Sequence, residues 1–214
     1  MLRRGNRRTM TVKRVLVVGA TGQQGGATAR HLLAGTGGQT FEVDALTRSP
    51  ESKAAANLAK AGANIVEGDL LDQPSLRSAA EPVDAVFCVT VFREGGYDQE
   101  VMQGINVAEA ASKTGVEHIV YSSVASVETD TGLRNFESKR TVEDHIRKLG
   151  LPATFLRPTY FMQNFERQRE EITNGTLTLP IKPDVPLQLV DVDDIGAFAA
   201  NALAHPNRYV DTAI

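Results

Sequence analysis

The sequence predicts an α/β fold: a doubly wound parallel sheet with helices on both faces, followed by a short C-terminal lobe that reads as incomplete. Three observations predict it. Apolar runs alternate with helix-like stretches along most of the chain, as in stacked βαβ units. The first run, residues 15–18 (Val-Leu-Val-Val), is continuously apolar, as a strand buried on both faces must be. That run feeds straight into a glycine-spaced turn, Gly19-Ala20-Thr21-Gly22-Gln23-Gln24-Gly25-Gly26, and then into a helix-like stretch over 27–34. Each glycine has a physical task. Gly19 permits a tight turn at the strand end, Gly22 lets a pyrophosphate approach the backbone, and Gly25 lets the helix pack close to the strand. The helix N-terminus offers unpaired N–H groups and a partial positive charge, with Thr21, Gln23 and Gln24 beside them. A glycine-rich turn without a ligand is the bland alternative; strand, turn and helix in this order favour a dinucleotide in a Rossmann-like domain.

The remaining elements follow in order. A second strand is expected over 41–46, and a helix over 51–61 after the Ser49-Pro50 start signal. Residues 64–66 form a short third strand, and Asp72 caps a helix running through 76–80. A fourth strand spans 84–90, and a helix spans 99–114 with Gly115 at its end. The fifth strand covers 117–122, a polar loop 123–132, and a helix 135–149 that stops at Gly150. The sixth strand is 153–156. Beyond it, Thr176-Leu177-Thr178-Leu179 alternates like an edge strand, Pro180, Pro183 and Pro186 interrupt the chain, and 187–190 reads as a strand. A helix over 192–204 starts at Asp191. This organisation divides the chain into a basic arm (1–12), a dinucleotide-binding domain (13–160) and a small substrate or partner lobe (161–214).

Composition bounds the function. The 214 residues include one cysteine, Cys88, so no disulfide can form within the chain. It sits in an apolar run and reads as a buried, inert thiol. The four histidines show no metal-ligand spacing. No apolar run reaches membrane-spanning length and no signal peptide is visible, so a cytoplasmic protein is expected. The formal net charge of −3 hides an asymmetry. Residues 1–14 carry Arg3, Arg4, Arg7, Arg8, Lys13 and Arg14 and no acid, leaving an acidic body. The arm reads as a disordered leader or as an anion-binding segment, and Met10 is an alternative start. The acidic body argues against a dedicated nucleic-acid surface.

The end of the second strand sits beside the adenosine ribose in this fold, where an acidic residue would accept from the 2′-hydroxyl of NAD. Here Arg48 occupies the tip, with Ser49 beside it. A guanidinium grips a phosphate in bidentate fashion, so NADP(H) is preferred over NAD(H); a solvated surface arginine is the alternative. Asp69 ends the third strand and reads either as an acceptor for the adenine amino group or as a turn cap, with Leu70 placed to pack on the adenine. Val89 and Thr90 end the fourth strand and Ser122 the fifth. On the helix over 135–149, Lys139 shares a face with Phe136, Val142 and Ile146 and points toward the sheet. An inward lysine needs a partner: a ribose and phosphate, or water reached by snorkelling.

These residues carry a resemblance. The glycine turn, Tyr121-Ser122-Ser123 and Lys139 resemble the short-chain dehydrogenase/reductase superfamily, whose ordinary members carry Tyr-x-x-x-Lys on this helix. Here Asn135 stands where that tyrosine would be, and it has no titratable proton near neutral pH. The chain more closely resembles the NmrA-like, atypical branch. The matching residues are Gly19-Ala20-Thr21-Gly22 with Gly25, Thr47-Arg48, Glu67-Gly68-Asp69, Phe136 with Lys139, and 156–164 (Leu-Arg-Pro-Thr-Tyr-Phe-Met-Gln-Asn), together with 190–196. That resemblance implies an NADP(H)-binding redox sensor that contacts a regulatory protein partner, with Pro158 and Tyr160 near the cofactor. It implies, as the alternative, an NADPH-dependent reductase of quinones or related conjugated acceptors, with Lys139 in catalysis and Tyr160 and Phe161 flanking the ring. Family members usually continue past the point where this chain stops, through further elements of a substrate lobe.

Overall fold

The computed structural model describes residues 12–179, 181–182 and 184–214. The arm expected over 1–12 therefore falls outside the described residues except for its last, as do Pro180 and Pro183. The six expected parallel strands are β1 (Lys13–Val17), β2 (Phe41–Thr47), β3 (Asn64–Glu67), β4 (Ala85–Val89), β5 (His118–Ser122) and β6 (Ala153–Leu156). Between them run α1 (Gln23–Ala34), α2 (Lys53–Lys60), α3 (Gln73–Ala80), α4 (Phe92–Thr114) and α5 (Arg134–Lys148). The later part contains β7 (Tyr160–Phe161), a 3₁₀ stretch (Met162–Gln168), α6 (Arg169–Thr173), β8 (Leu189–Val190), α7 (Val192–Ala204), α8 (Pro206–Tyr209) and β9 (Thr212–Ala213).

The sheet runs β3-β2-β1-β4-β5-β6-β9, and every neighbouring pair is parallel. Because side chains alternate across a strand, one apolar run feeds two cores. Val15 and Val17 face a layer built from α1, α2 and α7. Leu16 and Val18 face a second layer built from α3, α4 and α5. The strand order reverses on either side of β1, where β2 and β4 flank it, and the crossovers there diverge to open a crevice.

α7 belongs to the core although it lies late in the chain. It crosses α1 at Gly196, where a Cβ would stand 2.6 Å from the Ala27 methyl and 2.8 Å from the Thr28 amide. Only a residue without a side chain lets the helices approach this closely. At the rim, Asp193 accepts from Arg30 Nη2 at 3.3 Å and sits 3.1 Å from His31 Nε2.

Several expectations need correction. Residues 176–179 form no strand: Leu177 is 52% exposed, and the Thr178 amide donates to the Gln168 side chain rather than to a ladder. Alternation without a neighbouring free edge or a core face does not make a strand. The strand expected over 187–190 shrinks to β8, which pairs in parallel with β7 in a separate two-stranded sheet. The helix expected from residue 99 begins at Phe92 and is broken at Gly96, whose φ of 70° and ψ of −160° lie outside helical space. Finally, β9 adds an unanticipated seventh strand, pairing Thr212 and Ala213 with Thr154 and Phe155.

Candidate functional site

A cleft of about 760 Å³ opens at the carboxyl ends of β1 to β5, at the point where the strand order reverses. This is where an open α/β sheet places its ligand, and the volume suits a small-molecule site.

Its floor is the turn between β1 and α1. Gly19 has φ +74°, and a Cβ there would stand 2.6 Å from Val89 Cγ1. A Cβ on Gly25 would overlap the Gly19 carbonyl and stand 2.8 Å from the Ala20 amide, so the seating of α1 on the strand turn depends on that glycine. Gly22 caps α1, and no side chain accepts from the first-turn amides; that turn also holds no acid. By contrast, Ser52, Asp72 and Asp191 cap α2, α3 and α7 with their own oxygens. The start of α1 thus keeps donors for an outside anion, beside Gly19, Thr21, Gly22, Gln23 and Gln24 in the cleft wall. A diphosphate fits this cradle.

One side wall comes from β2, β3 and the start of α4. Arg48 lies at its mouth and donates through Nη2 to Glu94 Oε2 at 2.9 Å. Asp69 lines the wall, and its Oδ1 also accepts from the Leu71 amide at 2.9 Å, so it caps its own turn. The Leu70 carbonyl beside it accepts from Asn106 Nδ2 at 2.9 Å, which ties the turn to α4.

The opposite wall holds Lys139. This lysine is buried, and its Nζ lies 2.9 Å from Glu100 Oε1, 3.1 Å from both the carbonyl and the hydroxyl of Thr90, and 3.4 Å from the Ser122 carbonyl. Glu100 is 1% exposed and also accepts from the Thr90 and Ser138 hydroxyls. Three ammonium hydrogens therefore face four protein oxygens, and the charge is countered inside the wall. The phenol of Tyr121 lies 3.3 Å from Thr90 Oγ1. Burial, foremost, pushes that phenol well above its ordinary value, so it stays protonated; the ring itself lies behind the cleft wall. Asn135 lines the cleft one helical turn before Lys139. Among the described residues lining the cleft there is no tyrosine, histidine or cysteine.

The cleft therefore brings together Gly19, Thr21, Gly22, Gln23, Gln24, Arg48, Asp69, Leu70, Val89, Thr90, Asn135 and Lys139. Four other expected residues stand outside its wall. Gly25 lies behind the turn. Ser122 is buried and its hydroxyl donates to Gln24 Oε1 at 2.6 Å. Pro158 does not reach the cleft, and the Tyr160 ring packs on Phe165 at 5.7 Å between centroids while Phe161 reaches the cleft instead. Glu100 and Gln103 went unread in the sequence. With Asn106 they form a polar stripe at helical spacing that continues into buried Val107, Ala110 and Ala111, and polar residues on a buried face are the signal for them. Cys88 is buried, and burial pushes its thiol up to about 12. Among the described residues no group of His, Cys, Asp and Glu is gathered to hold a metal, and no helix is long and apolar enough to cross a membrane.

The model of the NmrA-like family matches residues 11–214. An NmrA-like family domain-containing protein of Dictyostelium discoideum is 30% identical over 92% of this chain and 69% of its own length. Among solved structures, the triphenylmethane reductase of Citrobacter sp. complexed with NADP(H) superposes with a TM-score of 0.81 at 25% identity, covering 94% of this chain and 68% of that one. NmrA, a negative transcriptional regulator in complex with NADP, superposes with a TM-score of 0.76 at 26% identity, covering 95% of this chain and 65% of that one. The chain spans about two thirds of these proteins and as little as 47% of other curated relatives.

Proposed function

The chain belongs to the NmrA-like family, and from that premise we propose that it binds NADP(H) in the cleft and reports cofactor occupancy or redox state to a regulatory protein partner in the cytoplasm. The observation that carries the reading is the uncapped start of α1 on its glycine turn, with Arg48 at the mouth of the same cleft. The α1 amides would hold the diphosphate and Arg48 the 2′-phosphate, in preference to NAD(H). Residues 13–160, with Phe161, supply this site; of residues 161–214, α7 and β9 complete the core and the sheet, and the remainder is assigned the face toward substrate or partner. The chemistry of the wall favours binding over acid–base catalysis. Lys139 is committed to Glu100 and Thr90, and Asn135 cannot donate a proton as a tyrosine would. The likeness to NmrA, a regulator held with NADP, supports the same reading.

A second reading is a reductase of quinones or related conjugated acceptors, which the likeness to the NADP(H)-complexed triphenylmethane reductase supports. A bound nicotinamide would supply the hydride, and such acceptors take protons from water. The chain's own residues would then align donor and acceptor, with Phe161 against the ring and the Lys139–Glu100 pair holding the wall in place.

Calorimetric titration of NADP and NAD tests the cofactor assignment. NADP should bind tighter, and Arg48→Ala should weaken NADP by about 10- to 100-fold, the worth of charge-assisted contacts to a phosphate, while sparing NAD. Equal binding of the two nucleotides, or an unchanged NADP affinity in the variant, overturns it. NADPH oxidation followed by absorbance with a panel of quinones separates the readings: turnover selects the reductase, and binding without turnover selects the sensor.

A further inference from the structure

We propose that Glu94 is a specificity-determining residue of the cleft: its carboxylate competes with the 2′-phosphate of NADP(H) for Arg48 and so narrows the preference over NAD(H). The inference rests on the reading that the cleft takes a nicotinamide dinucleotide.

Arg48 and Glu94 both line the cleft and come from different elements, the tip of β2 and the first turn of α4. Their 2.9 Å contact spans the mouth, with side chains 58% and 46% exposed. An exposed pair of this kind contributes little to fold stability. Its consequence is local. The guanidinium assigned to the phosphate already holds an anion, and a phosphate dianion arriving there meets a carboxylate within a few ångströms. The uncharged 2′-hydroxyl of NAD meets no such repulsion and can donate to the same carboxylate. Glu94 therefore opposes one nucleotide and tolerates the other.

The backbone after Glu94 turns on two glycines. Gly95 and Gly96 follow it directly, and Gly96 adopts a conformation that L side chains rarely reach. Residues 92–95 are thus a single turn hinged on glycine, separate from the body of α4. That body is fixed by buried Glu100, Gln103 and Asn106. The exposed Glu94 side chain has room to rotate away from Arg48 with the helix unchanged. Arg93 lines the same mouth, so removing the Glu94 charge leaves that part of the wall with two arginines and no acid from the same turn.

The test is a set of calorimetric titrations of NADP and NAD against wild type, Glu94→Gln, Arg48→Ala and the double variant, at low and at moderate salt. Glu94→Gln should tighten NADP by about two- to fivefold, the worth of releasing an exposed ion pair, and leave NAD within about twofold or weaker. The gain should shrink at higher salt, and in the Arg48→Ala background it should fall to the part owed to direct repulsion of the phosphate. Unchanged discrimination in Glu94→Gln, or an equal gain for both nucleotides, overturns the inference while leaving the cofactor assignment intact. Failure of the wild type to bind either nucleotide overturns both. Both positions are exposed, so unchanged thermal melting of the variants checks that folding is preserved.

Discussion

Lys139→Met tests the buried pair in the cleft wall. The substitution keeps the aliphatic stem and removes the ammonium. Glu100, 1% exposed, is left with the hydroxyls of Thr90 and Ser138 as its donors and no countercharge. Breaking one side of a buried pair costs about 3–5 kcal/mol. Lys139 retains 11% side-chain exposure toward the cleft, so solvent relieves part of the penalty and the lower figure applies, about 3 kcal/mol. In a domain of this size that corresponds to a melting temperature about 6–12 °C lower. Lys139→Met combined with Glu100→Gln removes both charges while the amide oxygen still accepts from Ser138, and should recover at least half of the loss. Urea denaturation of the wild type, both single variants and the double variant gives the coupling energy directly. A loss below about 1 kcal/mol for Lys139→Met, or a coupling near zero, would refute the pair as drawn. The result also bears on assays: lost turnover in a Lys139 variant reports on chemistry only after its stability has been measured.

Three further outcomes follow from the same geometry. Gly196→Ala places a methyl 2.6 Å from the Ala27 side chain, so overpacking at the α1–α7 crossing should cost about 1–3 kcal/mol in urea denaturation, and a neutral substitution would contradict that contact. Gly25→Ala should displace α1 from the strand turn and weaken dinucleotide affinity at least tenfold by calorimetry; retention of full affinity would show that the cradle does not depend on that approach. Burial, and secondarily the charge of Lys13, lower the His118 pKa from 6.5 to about 4, so between those values the unfolded chain binds the extra proton. The stability is therefore fully present above pH 6.5 and falls by about 3 kcal/mol as the pH drops toward 4. His118→Gln should flatten that slope in urea midpoints measured across the window, and an unchanged slope would assign it elsewhere.

The sheet was legible because its strands are buried on both faces. Residues 15–18 and 85–89 are short apolar runs, 119–121 a shorter one, that no surface element would carry, and glycine turns and caps punctuate them. What escaped the sequence was structure that depends on distant partners. β9 is two residues long, too short for any period, and exists because β6 offers a free edge. Residues 176–179 show the reverse, a strand-like alternation with no ladder to join. α4 was read late because Arg93 to Gly96 look like a loop, and in the structure that stretch is a hinged turn. In the cleft, the glycines, Arg48 and Lys139 were legible from local order and face. Glu100 was not, since its partner Lys139 lies on another helix. Tyr160 and Phe161 were equivalent in sequence, and the β7–β8 pairing decides which of them enters the cleft.

The contact between α1 and α7 makes the glycine turn depend on a remote segment. The glycine turn and the helix packed beside α1 lie far apart in the sequence yet meet in one core. A chain cut between β6 and α7 keeps every glycine of the turn, and α1 keeps its contacts with β1, β2 and β4 but loses the helix packed beside it. A protease cut ahead of residue 192 should therefore loosen the seat of α1 while most of the sheet still stands.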